Sequence, residues 1–213
     1  MREEDRVAMF YPNKIVLATA NPHKTTEIRN IIKTYYAKDL DIDILPRPKD
    51  VGEIPETGDT FLANARIKAS RIARATNLPA LADDSGLLVD VLDGLPGVNS
   101  SCYAGEHASD RANLEKLLSE MEGMTDRKAG FVTQALLVFP NGDELSATGE
   151  IRGEILGFPV GQNGFGYDPV FKPDGYAMTF AEMKPDLKDS ISHRKRAFIA
   201  LFNRIVGLKD TSV

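Results

Sequence analysis

Apolar positions along the chain recur with periods of about 3.6 and about 2, and their succession lays out the expected elements. Ile15–Ala20, IVLATA, is a short unbroken apolar run that predicts a buried first strand, stopped by Asn21-Pro22. From Lys24 to Tyr36 the positions Ile28, Ile31, Ile32 and Tyr35 share one face of an amphipathic helix. Asp41–Leu45 alternates as a strand, and a Pro-rich loop carries the chain through Pro55. Thr60–Thr76 predicts an Ala-rich helix facing inward through Phe61, Ala65, Ala69, Ile72 and Ala73. Ala80–Asp84 and Leu87–Leu92 read as two strands flanking a turn at Ser85-Gly86. A helix over Asp110–Glu122 buries Leu114, Leu117, Leu118 and Met121.

The pattern then becomes β-rich. Gly130–Phe139 and Glu144–Ile155 alternate on either side of Pro140-Asn141-Gly142-Asp143, a hairpin signal. A glycine-dense loop, GFPVGQNGFGYDP, spans Gly157–Pro169, and one final amphipathic helix carries Ala197, Phe198, Leu201, Ile205 and Val206. Helices alternate with strands early and a hairpin follows, so the expected fold class is α/β, with a mixed sheet flanked by helices. Neither a repeat nor a long linker divides the chain. The expectation is a single domain over residues 1–213, with 1–13 as a polar lead-in.

Composition narrows the function. Of 213 residues, 42% are hydrophobic and 27% charged, which suits a globular chain and not a disordered one. Asp plus Glu number 31 against 26 Lys plus Arg, so non-specific binding to DNA or RNA polymers is not expected. One cysteine, Cys102, rules out an intramolecular disulfide and a thiolate zinc cluster. The three histidines are scattered, so any metal would fall to carboxylate oxygens, which suits Mg²⁺ or Mn²⁺. No apolar run approaches the ~20 residues of a membrane span, and the acidic start MREEDRVAMFYP does not read as a signal peptide. The expectation is a cytoplasmic protein with no membrane partner.

Five segments carry candidate chemistry. Thr19-Ala20-Asn21-Pro22-His23-Lys24 is a strand-to-helix turn suited to anions, through backbone N–H groups, the helix dipole and the Lys24 charge. The glycines of a Walker motif are missing. Ala82-Asp83-Asp84-Ser85-Gly86 ends an apolar strand in two adjacent carboxylates, and one buried there needs a cation or hydrogen bonds. Glu56 offers another carboxylate ahead of the Ala-rich helix, as ligand or cap. The glycine loop lacks the dinucleotide spacing, but it offers Phe165 for stacking and Asp168 as an acceptor. Lys188, His193 and Arg194 lie near the start of the final helix, on its polar side, where Ser192-His193-Arg194 could read a ligand.

IVLATANPHK, PETGDTFLANA, LADDSGLLVD, GFGYDPVF and KDSISHR occur in one order, and together the chain resembles the inosine/xanthosine triphosphate pyrophosphatases. The resemblance runs from about Ile15 to Val206. It implies an elongated fold of two lobes with an active-site cleft between them, a homodimer, and Mg²⁺ as cofactor. The implied activity is hydrolysis of ITP, dITP and XTP to the nucleoside monophosphate and pyrophosphate. By position, the resemblance gives Thr19, Asn21 and Lys24 to the triphosphate, and Glu56 and Asp84 to the metal. Asp84 matches the catalytic base and Ser85 contacts substrate. Phe165, Gly166, Tyr167 and Asp168 would hold the nucleoside, with Lys188, His193 and Arg194 completing the pocket. Ala63 and Cys102 stand where the family often has Glu and Arg. Two other functions remain open at this level: a phosphatase releasing orthophosphate, and a nucleotide sensor without turnover. Asp83 remains the alternative to Asp84 as base.

Overall fold

The computed structural model describes residues 12–36 and 42–210. Most of the expected lead-in, and Asp41 of the second predicted strand, lie outside the described residues. Among those residues, six strands form one sheet in the order β2-β1-β3-β4-β5-β6. They are β1 (Lys14–Leu17), β2 (Asp43–Leu45), β3 (Ala80–Val89), β4 (Lys128–Val138), β5 (Glu144–Ile155) and β6 (Phe171–Pro173). β1 runs parallel to both β2 and β3, whereas β5 and β6 are antiparallel, so the sheet is mixed. The helices are α1 (Pro22–Tyr36), α2 (Phe61–Thr76), α3 (Asp110–Glu120), α4 (Pro185–Ile191) and α5 (His193–Asp210). This is the expected α/β class.

The chain divides into two compact units. One gathers the chain up to Asp84 with Gln134–Gly149 and the stretch from Lys195 onward; the other holds Ser85–Thr133 and Glu150–Arg194. Within the first unit, strand alternation sorts side chains onto two faces. Ile15, Leu17, Leu81, Ala135 and Leu137 meet Ile28, Ile31 and Tyr36 of α1, and Ala197, Phe198, Leu201 and Phe202 of α5. Their neighbours Val16, Ala18, Ala80, Ala82 and Leu136 meet Ala65, Ala69, Ile72 and Ala73 of α2. Small alanines let α2 approach the strands closely. Thr60 caps α2 by accepting from the Ala63 N–H at 3.1 Å, and Asn77 ends it in the left-handed conformation. In the second unit, Leu87, Phe131, Ile151 and Ile155 pack with Leu114 and Leu117 of α3, with Met121 just past its end, and with Phe171 and Phe180.

Two local expectations are corrected, and two short elements were not foreseen. No turn breaks the third strand: β3 runs unbroken from Ala80 to Val89, and Gly86 does not take a positive φ. The Ser85 hydroxyl pairs with Thr133 instead, at 2.8 Å. The inward aromatic of α1 is Tyr36, whose hydroxyl bonds the Ile199 carbonyl and the Asn203 amide oxygen. Tyr35 is exposed beside the Lys195 ammonium. The final helix starts at His193, as expected, and the unforeseen short helix α4 precedes it, the two parted at Ser192, which is extended. Finally, the short strand β6 carries too few residues to show a period.

Candidate active site

Asp83 and Asp84 are consecutive on β3, so the pleat sends them to opposite faces. Both are buried, at 0% and 5% exposure. Asp83 follows Leu81 toward α1, where Lys24 Nζ lies 3.3 Å from its Oδ2. Asp84 follows Ala80 and Ala82 toward α2, where Lys68 Nζ donates to its Oδ1 at 3.1 Å. The same ammonium lies 3.1 Å from Glu56 Oε1, so Lys68 bridges two carboxylates. Asn64, one helical turn before Lys68, donates from Nδ2 to Asp84 Oδ2 at 3.3 Å. Its Oδ1 accepts from the Gly58 N–H at 2.7 Å, tying the Glu56 segment to α2. Gly58 is needed for that approach: a Cβ there would meet Ala63 Cβ at 2.6 Å and Asn64 Oδ1 at 2.9 Å.

Burial pushes the Asp84 carboxyl up to about 6. Lys68 and Lys24 pull against that rise, while the nearby Glu56 carboxylate adds to it and can share a hydrogen bond with the protonated acid. Burial alone would lower the Lys68 ammonium, but Asp84, Glu56 and Asp83 outweigh it and hold it above the usual lysine value. Lys68 therefore stays charged near neutral pH.

The start of α1 differs from the expectation of unsatisfied N–H groups. Asn21 Oδ1 accepts from the N–H of His23 at 2.9 Å and of Lys24 at 3.3 Å, and Pro22 has no N–H. The Thr25 N–H bonds the Asn21 carbonyl, and Thr19 Oγ1 accepts from the Asn21 N–H. The first turn is satisfied internally, so an anion here would rely on the dipole, the Lys24 ammonium and exchangeable side-chain donors.

In the second unit, Arg194, Lys188 and His193 are buried, not on a solvated polar side as the charge pattern suggested. Arg194 is 1% exposed, and its Nη2 donates to Ser85 Oγ at 3.2 Å. The His193 ring stacks on Phe131 with centroids 4.8 Å apart. Lys188 Nζ lies 2.6 Å from Asp168 Oδ2 and 4.8 Å from the Phe165 ring centroid. The Phe165 N–H also donates to Asp168 Oδ2, so that oxygen is committed within the protein. Gly164 takes a φ of 76°, and a Cβ there would strike Asp168 Oδ2 at 2.0 Å. Gly166 donates its N–H to Asp110 Oδ2 at 2.8 Å, fixing the loop beside Phe165. Tyr167 is a core residue whose hydroxyl donates to the Ser100 carbonyl.

Thus the structure brings Glu56 and Asp84 together, and Lys24 with Asp83, in the first unit. It gathers Phe165, Asp168 and Lys188, and pairs Ser85 with Arg194, in the second. Sequence reasoning missed Asn64, Lys68 and Thr133. Asn64 and Lys68 had a signal: they are spaced by four within the alanine stripe Ala65–Ala69–Ile72, where polar residues need a partner. Thr133 had none. Ala63 lines a groove on α2 with Arg66, Arg71 and Arg74, and Cys102 is exposed.

No group of three His, Cys, Asp or Glu converges as a metal site among the described residues. Two carboxylates sharing one ammonium nevertheless fit Mg²⁺, which commonly keeps several waters and takes one or two carboxylates plus substrate phosphates.

Fold and centre define a mixed-sheet α/β protein built around a lysine-bridged carboxylate pair. The chain belongs to the Ham1 family, whose model matches residues 15–204. It is 46% identical to the dITP/XTP pyrophosphatase of Streptomyces avermitilis, over 87% of this chain and 93% of that one. It is 42% identical to the dITP/XTP pyrophosphatase of Mycobacteroides abscessus, over 92% and 96% of the two chains. Among solved structures, a HAM1 protein from Coxiella burnetii aligns with a TM-score of 0.81 at 40% identity, covering 92% of this chain and 98% of that one. The Staphylococcus aureus Ham1 protein aligns at 0.80 and 37% identity, covering 91% and 98%.

Proposed function

We propose that this chain hydrolyses the deaminated purine nucleoside triphosphates ITP, dITP and XTP to the monophosphate and pyrophosphate, clearing them from the nucleotide pool. The observation that carries the reading is the buried Asp84, 3.1 Å from the Lys68 ammonium that it shares with Glu56, its carboxyl pushed by burial up to about 6. A base with that value is deprotonated at neutral pH, yet more basic than an ordinary aspartate. The names of the relatives supply the substrate class.

Asp84 accepts the proton of the water that attacks the α-phosphorus. Lys24, held by Asp83, offsets charge on the triphosphate, with Thr19 and Asn21 beside it. Glu56 and Asp84 would hold Mg²⁺, which when bound offsets phosphate charge and orients the water. Phe165 stacks on the purine, and His193 and Arg194 donate hydrogen bonds to the C6 oxygen. Lys188 and Asp168 hold the glycine loop in place for that contact, Gly166 and Tyr167 included.

Adenine carries an amino group at C6, so donor would face donor, at about 1–3 kcal/mol for each buried group left unpaired. Two such losses give roughly 10²- to 10⁴-fold preference for ITP over ATP. We also propose a homodimer, which the family resemblance implies, and a cytoplasmic location, to be checked by sedimentation velocity and cell fractionation. None of the described helices is long and apolar enough to cross a membrane.

The test is incubation with ITP and Mg²⁺, products resolved by anion exchange. IMP with pyrophosphate supports the proposal. IDP with orthophosphate makes the protein a phosphatase, and bound but unchanged ITP makes it a sensor.

A further inference from the structure

Lys68 has no place in the hydrolysis as described so far, yet it is buried and fixed by both carboxylates of the centre. Its Nζ is 3.1 Å from Glu56 Oε1 and 3.1 Å from Asp84 Oδ1, and its side chain is 9% exposed. A divalent ion held by those same oxygens would bring a second positive charge beside the ammonium. Two cations so close, in surroundings that screen poorly, repel one another.

We infer that Lys68 is the resident counter-cation of the Glu56–Asp84 centre, so that its contact with the two carboxylates and the binding of a divalent ion exclude one another. The inference rests on the metal reading above. Displaced from the carboxylates, a buried ammonium needs a new anionic partner, and a triphosphate provides one. The bare protein therefore binds the metal weakly, and nucleotide strengthens that binding by taking Lys68 from the carboxylates. Linkage makes the effect reciprocal: the metal strengthens nucleotide binding by the same factor.

The experiment titrates Mn²⁺ into the protein and counts free ion by electron paramagnetic resonance, with and without a non-hydrolysable α,β-methylene analogue of ITP. No turnover is involved. In the wild type the analogue tightens Mn²⁺ binding by at least about tenfold, within the usual range of such coupling. Lys68→Met tightens binding without nucleotide by at least about tenfold, and the effect of the analogue falls below about threefold. Lys68→Arg keeps the charge and binds Mn²⁺ no more tightly than the wild type. Mn²⁺ affinity of Lys68→Met at or below that of the wild type overturns the inference. Glu56→Gln and Asp84→Asn separate the two ways of failing. If neither weakens Mn²⁺ binding, the metal reading is wrong and the inference falls with it. If both weaken it while Lys68→Met brings no gain, only the role of Lys68 is wrong. Should Lys68→Met not fold, the wild type serves: its ¹⁵N-labelled Lys68 ammonium signal shifts on saturation with Mg²⁺, and an unmoved signal overturns the inference.

Discussion

Asp84→Asn is expected to stabilise the metal-free protein at neutral pH while removing its activity. The carboxyl titrates at about 6 in the folded chain against an ordinary value of 3.8, because burial outweighs the attraction of Lys68 and Lys24. That difference corresponds to about 3 kcal/mol carried by the folded state once the group is charged. The sign follows from a folded value raised above the unfolded one. The stabilising contribution of Asp84 is fully present below pH 3.8 and is lost as pH rises through 6. An asparagine carries no charge at any pH, but it leaves the Asn64 amide with a poorer acceptor and Lys68 with fewer charges. The net gain above pH 7 is therefore smaller, on the order of 1 kcal/mol. The assay is urea denaturation with EDTA at pH 4.5 and pH 7.5, followed by circular dichroism. The gap between variant and wild type should widen toward pH 7.5. A gap that is the same at both values, or a less stable variant at pH 7.5, refutes the view that burial dominates at Asp84. Turnover should fall by at least about 10²-fold, the scale of a lost general base, and near-normal turnover transfers the role to Asp83.

Glu56→Gln should raise the Mg²⁺ concentration for half-maximal activity, read from metal titrations of the initial rate, and move the acidic limb of the pH profile down, because Glu56 helps to raise the Asp84 carboxyl. Asn21→Ala removes the cap of α1 and should cost about 1 kcal/mol in urea denaturation. It should also raise KM for ITP, since Lys24 then sits on a frayed turn. Arg194→Lys keeps the charge but loses the planar fork, so kcat/KM should fall more for ITP than for ATP; an equal fall for both assigns Arg194 to general binding.

The sequence patterns that proved readable are those repeated along an element. The stripe of α2 recurs over four turns, and the apolar run of β1 cannot be anything but buried, so both are found. Patterns carried by one or two residues misled. Ser85-Gly86 reads as a turn, yet β3 continues because Ser85 bonds Thr133 on β4 and Gly86 stays outside the left-handed region. Helix α4 spans Pro185–Ile191, too short for a period to register. Within the site, the adjacent acids Asp83 and Asp84 stood out because charge at the end of an apolar strand is expensive. Lys68, Lys188 and Arg194 were harder. A cation is solvated by default, and its burial depends on an acid brought from a distant part of the chain: Asp84 for Lys68, Asp168 for Lys188. Only Lys68 left a trace, through its register with Asn64 on the alanine face.

Hydrolysis of ITP in water enriched in oxygen-18 tests the proposed reaction at its bond of attack. One turnover's worth of product is separated, and IMP and pyrophosphate are weighed by mass spectrometry. Attack at the α-phosphorus, with Asp84 taking the water proton, puts the heavy oxygen in IMP and none in pyrophosphate. Label in pyrophosphate, or in orthophosphate beside IDP, places the attack at another phosphorus and contradicts the assignment of this centre to pyrophosphohydrolysis.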